Sequence, residues 1–304
     1  MLYQINQTRE ITMSEPTKTI VITGTSSGFG EGAVRDFADR GYRVWGTMRD
    51  VNGRNATKKA ALEAHSTNIS IIEMDMNNDN AVASGFADII AAGPVDILIN
   101  NAGIQDIGLT EAFSLQQSRD LMETNYFGAI RATQAVLPGM REAGSGLIIN
   151  CSSSLGRMTG PFFGTYAATK HALEAYMQAL RYEVSGFGVD ITLVEPGPFG
   201  TNFINIGRPA ARKEIIAEYG ELANVPDAML SGFMTMMNGP EKPDPQLVVD
   251  LYCSLADMPA GQRPTRSVVG MTWGVSEINH KTQPIQGAIL KNLQLDTVLG
   301  GSDA

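Results

Sequence analysis

Val21-Ile22-Thr23-Gly24-Thr25-Ser26-Ser27-Gly28-Phe29-Gly30 ends a β-branched run and opens a stretch of helical period. Glycine tolerates the tight turn and the close backbone approach that a pyrophosphate needs, and free N–H groups at a helix start favour its charge. In a strand-turn-helix context this glycine spacing predicts a dinucleotide site. The competing reading is a βα loop that uses glycine only for its turn geometry.

Outward from this turn, short β-branched runs at 19–23, 43–46, 69–74, 97–100, 147–151 and 190–194 alternate with helical patterns at 28–40, 80–91, 114–141 and 165–185. Six strands joined by helical crossovers predict an α/β fold, a Rossmann-type doubly wound parallel sheet with helices on both faces. No internal repeat or linker divides the chain, so 17–304 reads as one domain. Residues 1–16 read as a disordered extension, with Met13-Ser14-Glu15-Pro16 a natural start before the first strand. Residues 202–244 are rich in Met, Gly, Pro and Ala, with Met229, Met234, Met236 and Met237 around Phe233. They read either as a helical core hairpin or as an adaptable apolar lid over a substrate cleft. A C-terminal extension, 245–304, holds a helix at 246–255, a loop at 259–270 and a tail.

Composition narrows the partners. An apolar fraction of 43% is ample for a core, and a net charge of −9 without a basic run argues against nucleic acid or an anionic membrane. Cofactor phosphates must then be held by backbone and a few placed cations. Cys151 and Cys253 are too few for a disulfide framework and share no ligand spacing with His65, His171 and His280, so no metal site is expected. With no leader or membrane-length apolar run, a reducing cytoplasm is the expected compartment.

Tyr166 and Lys170 lie four residues apart in a helical stretch, on one face, with Ser153 upstream. A phenol titrates near pH 10, and a fixed cation beside it brings it towards the working range. Composition alone yields about 0.2 Tyr-x3-Lys pairs in such a chain, so the pair gains weight only from its neighbours. Cys151, ending a core strand without a histidine partner, reads as a small buried hydrophobe. His171 points about 100° around the helix from Lys170, towards packing or solvent.

The Thr-Gly-x3-Gly-x-Gly spacing, Asp75 after the third strand run, Asn100-Asn101-Ala102-Gly103, Asn125 in Thr124-Asn125-Tyr126-Phe127-Gly128, Ser152-Ser153, Tyr166, Lys170 and Pro196-Gly197-Pro198-Phe199-Gly200-Thr201 occur in order. Over residues 18–201 the chain thereby resembles the short-chain dehydrogenase/reductase family, its hydroxysteroid-dehydrogenase and carbonyl-reductase-like members in particular. The resemblance implies a nicotinamide cofactor held by Gly24, Ser26, Ser27, Gly28, Phe29, Gly30, Asp75, Met76, Asn101, Ala102, Gly103, Pro196, Gly197, Phe199 and Thr201, with Tyr166 and Lys170 also touching it. It implies Tyr166 as general acid in reduction and base in oxidation, and Ser153 as donor to the substrate oxygen. Lys170 would bind the ribose and lower the Tyr166 pKa. Asn125 would hold a water for proton resupply, although a structural, helix-bending amide is an open alternative. Ser153 could likewise merely form a turn. A homodimer or homotetramer is implied as well.

Cofactor choice rests on Met48-Arg49-Asp50. A family-like register puts Met48 where an NAD enzyme carries its ribose-binding acid and leaves Arg49 to grip a 2′-phosphate, favouring NADP(H) over NAD(H). A slipped register would give that place to Asp50. Ile104, Leu155, Phe162, Phe163 and Phe203, with Gln105, Met158, Phe199 and Ile204, are expected to face a small hydrophobic ketone, aldehyde or alcohol. Arg157 is left between carboxylate recognition and solvent. The alternatives are an NAD-dependent secondary-alcohol dehydrogenase and a dinucleotide-sensing protein without turnover. An epimerase or dehydratase would bring a Gly-x2-Gly-x2-Gly turn, which is missing.

Overall fold

The computed structural model describes residues 17–203, 207–240 and 242–295. The expected N-terminal extension and Ile204 lie outside them. In chain order the elements are β1 (Thr19–Thr23), α1 (Gly28–Asp39), β2 (Arg43–Met48), α2 (Ala56–Glu63), β3 (Ile69–Glu73), α3 (Asp79–Ala91), β4 (Ile97–Asn100), α4 (Leu115–Met122), α5 (Gly128–Ala143), β5 (Gly146–Cys151), α6 (Gly164–Ser185) and β6 (Val189–Pro196). After them come α7 (Lys213–Glu218), α8 (Val225–Asn238), α9 (Gln246–Asp257), β7 (Arg266–Val269) and α10 (Val275–Asn292). The strands form one parallel sheet in the order β3-β2-β1-β4-β5-β6-β7.

The period of two along each strand splits the core into two layers. Ile20 and Ile22 of β1, with Ile97 and Ile99 of β4, pack with Phe37 of α1 and Val248 and Tyr252 of α9. Val21, Leu98 and Ile148 face the other way, onto Phe86, Val136, Leu173 and Met177 of α3, α5 and α6. Because the sheet is buried on both faces, its strands read as continuous apolar runs. The order reverses between β1 and β4, so a crevice opens above their carboxyl ends, where a ligand is expected to bind.

Three features depart from the expectations. Residues 114–141 are not one helix: α4, started by a Ser114–Gln117 capping box, passes through a wide π turn at Glu123–Phe127 before α5 begins. The 259–270 loop contains a seventh strand, β7, paired with β6 from Leu193↔Arg266 to Pro196↔Val269. Among the described residues of the C-terminal tail, Val275–Asn292 form helix α10. In the Met-rich segment α8 buries only Pro226 and Met237 fully, which is less than a core hairpin would bury. Among the described residues no helix is long and apolar enough to cross a membrane.

Candidate active site

A cavity of about 920 Å³ opens over the carboxyl ends of the sheet. Its floor begins at the glycine turn. The Thr23 hydroxyl accepts from the backbone N–H groups of Asn101 and Ala102, both at 3.0 Å, and the Asn101 side chain donates to the carbonyls of Thr23 and Gly24. The ends of β1 and β4 are thereby stitched together. Gly24 has φ +71°, and a Cβ there would lie 2.7 Å from Ala102 Cα. At Gly30 a Cβ would lie 2.4 Å from the Gly24 carbonyl oxygen. Ser26, Ser27, Gly28 and Phe29 line the cavity, whereas Gly30 does not, so its part is to let the turn close. Ser27 caps α1 without a side-chain bond, leaving the helix-start amides free for an anion.

At the end of β2, Met48 and Arg49 reach the cavity and Asp50 does not. Asp50 adopts φ +53° and turns its carboxylate back to accept from Arg54 N at 3.1 Å. Asp50, the residue of the slipped register, therefore faces away from the cavity. Arg54 lines the cavity beside Arg49 and was not foreseen, since nothing in the sequence shows that the turn brings it round. Free helix-start amides, tight glycines and two cations fit a phosphorylated dinucleotide. Asp75, Met76, Asn101, Ala102, Gly103, Pro196, Gly197, Phe199 and Thr201 line the same cavity.

Ser153 follows the end of β5, and its Oγ accepts from Leu155 N at 3.1 Å, fixing the side chain at the start of a short 3₁₀ turn. Tyr166 and Lys170, on the first turns of α6, are 5% and 4% exposed. Burial pushes the Tyr166 phenol well above its usual range, Cys151 adds to this, and a hydrogen bond with Ser153 pulls back. Lys170 is held below its ordinary range by burial, against the pull of Cys151 and Glu174. Its Nζ donates to the Cys151 carbonyl at 2.8 Å and lies 5.8 Å from the Tyr166 ring centroid. Lys170 is thereby tied to the end of β5, and the expected lowering of the Tyr166 phenol by this cation is not seen, because burial dominates.

Asn125 sits in the π turn and does not line the cavity. Its Oδ1 accepts from Ile104 N at 2.8 Å, and its Nδ2 donates to the Ile104 carbonyl at 2.8 Å and to Thr169 Oγ1 at 3.0 Å. The amide thus staples the loop after Gly103 to α6.

Ile104, Gln105, Leu155, Met158, Phe163, Phe199 and Phe203 line the outer half of the cavity. Phe162 does not. Its backbone turns to φ +71°, its carbonyl accepts from Gly108 N, and its ring packs with Leu109, Phe113 and Ile215. Arg157 also turns away, donating to Asn279 and Thr282 of α10 at 2.8 Å each. The places left open are taken by Met229, Leu230 and Phe233 of α8 and by Trp273. Phe233 packs between Phe163 and Trp273 with centroid distances of 6.3 and 6.2 Å. Trp273 went unnoticed because it stands far from every motif in sequence.

The family profile for short chain dehydrogenases matches residues 18–209. Retinol dehydrogenase 8 of Homo sapiens is 39% identical over 194 residues, 63% of this chain and 62% of that protein. The 3-ketodihydrosphingosine reductase of Bacteroides thetaiotaomicron is 38% identical over 185 residues, 60% of this chain and 65% of its own length. The chain thus spans under two thirds of the length of both relatives. A short-chain dehydrogenase structure from Streptomyces avermitilis superposes with a TM-score of 0.72 at 30% identity, covering 92% of this chain and 97% of that one. With the profile spanning well over half the chain, and the parallel sheet and ordered motifs in place, this protein belongs to the short-chain dehydrogenase/reductase family.

Proposed function

We propose that this chain interconverts a hydrophobic carbonyl compound and its alcohol, using NADP(H). The observation that carries the reading is that Ser153, Tyr166 and Lys170 open onto the same cavity as the glycine turn and the two arginines. A bound nicotinamide would supply or accept the hydride. The glycine turn and the α1 amides would hold its pyrophosphate, and Arg49 and Arg54 its 2′-phosphate.

The remaining steps belong to the chain. Ser153 donates a hydrogen bond to the substrate oxygen and orients it, and Tyr166 delivers the proton to that oxygen in reduction. A phenol held high is fully protonated at neutral pH, which suits the acid role. In the reverse direction it must first lose that proton, so oxidation speeds up as pH rises. The apolar wall of Leu155, Met158, Phe163, Leu230 and Phe233 excludes water and favours a large apolar substrate. Relatives named for retinol and for 3-ketodihydrosphingosine support the same class.

The test is NADPH and NADH oxidation against a panel of long-chain and cyclic ketones and aldehydes, with wild-type and Tyr166→Phe protein. Wild-type turnover with NADPH is expected, with a loss of at least about 10³-fold in kcat for Tyr166→Phe, in line with general acid catalysis. Folded Tyr166→Phe with near wild-type turnover would assign the proton to another group. NADPH binding without turnover of any panel member would leave a dinucleotide sensor instead.

A further inference from the structure

Behind the catalytic helix lies a buried ion cluster that none of the expected motifs includes. Arg266 of β7 donates from Nε to Glu174 Oε2 at 2.9 Å, lies 3.3 Å from Glu195 Oε1, and donates from Nη2 to Gln178 at 2.8 Å. Glu174 stands one helical turn beyond Lys170 on α6. Glu195 is the penultimate residue of β6, just before Pro196 and Gly197. The two side chains are 3% and 0% exposed, and the Arg266 guanidinium is the group that bridges them. From the far side, Asn279 of α10 donates to Glu195 Oε2 at 2.5 Å and accepts from Arg157 at 2.8 Å.

This cluster touches each wall of the active site. A Cβ on Gly156 would lie 2.7 Å from Ser152 Oγ and 3.0 Å from Glu174 Cγ, so the loop carrying Ser152 and Ser153 rests against Glu174. Glu174 also attracts the buried Lys170 ammonium. Past Arg266 on the same strand, the Val269 carbonyl accepts from Gly197 N at 3.0 Å, and Gly270 packs so closely that a Cβ would sit 2.7 Å from the Phe199 ring. Strand β7 therefore holds both the cofactor wall and the charge that keeps α6 and β6 together.

We propose that Arg266 is a positioning residue for the reaction: by clamping Glu174 and Glu195, it sets Lys170 and the Ser152–Ser153 loop against the Pro196–Gly197 wall. Without it Glu174 and Glu195 lose the partner they share, and the cheapest relief is for α6 and the strand end to move apart. Such a shift leaves the glycine turn intact and spoils the alignment at Tyr166. The cluster thus acts on turnover more than on cofactor binding.

The inference rests on the proposed oxidoreduction, and its experiment separates the two. Arg266→Met, Arg266→Lys and the surface control Lys281→Ala are compared with wild type. The readouts are the NADPH dissociation constant by nucleotide fluorescence, kcat with the panel carbonyl that wild type reduces best, and amide hydrogen exchange over 152–156 and 166–174. For Arg266→Met, kcat should fall about 10- to 100-fold, the scale of a small misplacement, while NADPH affinity falls much less. Arg266→Lys should recover part of the loss, and exchange should quicken over both segments in Arg266→Met alone. Wild-type kcat in Arg266→Met, or losses of kcat and NADPH affinity in equal measure, would overturn the proposal. Should Arg266→Met fail to fold, Asn279→Ala withdraws one donor from Glu195 without unpairing the guanidinium. It should show the same split in milder form, and an Asn279→Ala chain identical to wild type would overturn the clamp. A wild-type chain that binds NADPH but reduces no panel member would end the functional reading. The exchange comparison would still decide the clamp: unchanged exchange over both segments overturns it.

Discussion

Arg49 and Asp50 are neighbours of opposite charge, and backbone geometry decides which one reaches the cavity. At φ +53° the aspartate folds onto its own turn, leaving Arg49 and Arg54 at the cavity. Residue identity made the arginine legible in the sequence, but the left-handed turn that retires Asp50 was not, because a non-glycine residue there is uncommon. The same limit applies at Phe162 and Phe163, adjacent rings of equal hydrophobicity that a single positive φ sends to different places. Tyr166, Lys170 and Ser153 were legible because regular helix and strand spacing carries their positions. Charge-assisted hydrogen bonds at Arg49 should contribute about 1.5 to 3 kcal/mol. Arg49→Glu should therefore lower the NADPH-to-NADH ratio of kcat/KM by at least about 10- to 100-fold, measured by initial rates with each nucleotide. An unchanged ratio would show that Arg49 is a solvated surface charge.

At the scale of elements, apolar periodicity located the first six strands and the main helices, since a doubly covered sheet leaves long continuous apolar runs. It missed β7, whose four residues are all half-buried and begin with a charged side chain serving the clamp. The π turn between α4 and α5 was equally hidden, because one extra residue in a turn leaves the surrounding helical period intact. Its purpose is visible in Asn125, which the widened turn delivers to both backbone groups of Ile104 and to Thr169. Asn125→Leu would orphan buried donors and acceptors at about 1 to 3 kcal/mol each. A lower Tm together with reduced kcat is expected from thermal unfolding and initial rates. A normal Tm with lost turnover would instead favour a role in proton resupply.

For the whole molecule, the strand reversal between β1 and β4 fixes where the crevice lies, and α8 and Trp273 of the C-terminal third line it. One global property follows from the clamp. Glu195 faces Glu174 on α6, Arg266 on β7, and Arg157 and Asn279 from the 3₁₀ loop and α10. Burial first, and Glu174 second, push its carboxyl up to about 8. The folded chain therefore holds that proton more tightly than the unfolded chain, where a glutamate titrates near 4.3. Its contribution to stability is fully present below about pH 4.3 and is lost as pH rises through about 8. Denaturant unfolding at pH 6 and pH 9 should show wild type weakening with pH and Glu195→Gln weakening less. Equal slopes for the two proteins would place the ionisation elsewhere.

Trp273 gives the molecule a built-in optical reporter. The chain has two tryptophans. Trp45 lies within β2, its indole N–H buried and without an acceptor, while Trp273 is 47% exposed at the cavity rim against Phe233. Reduced nicotinamide absorbs where indole emits. Emission from the rim therefore registers both a dinucleotide below it, through energy transfer, and an apolar ligand beside it, through the colour of the light, with no label attached.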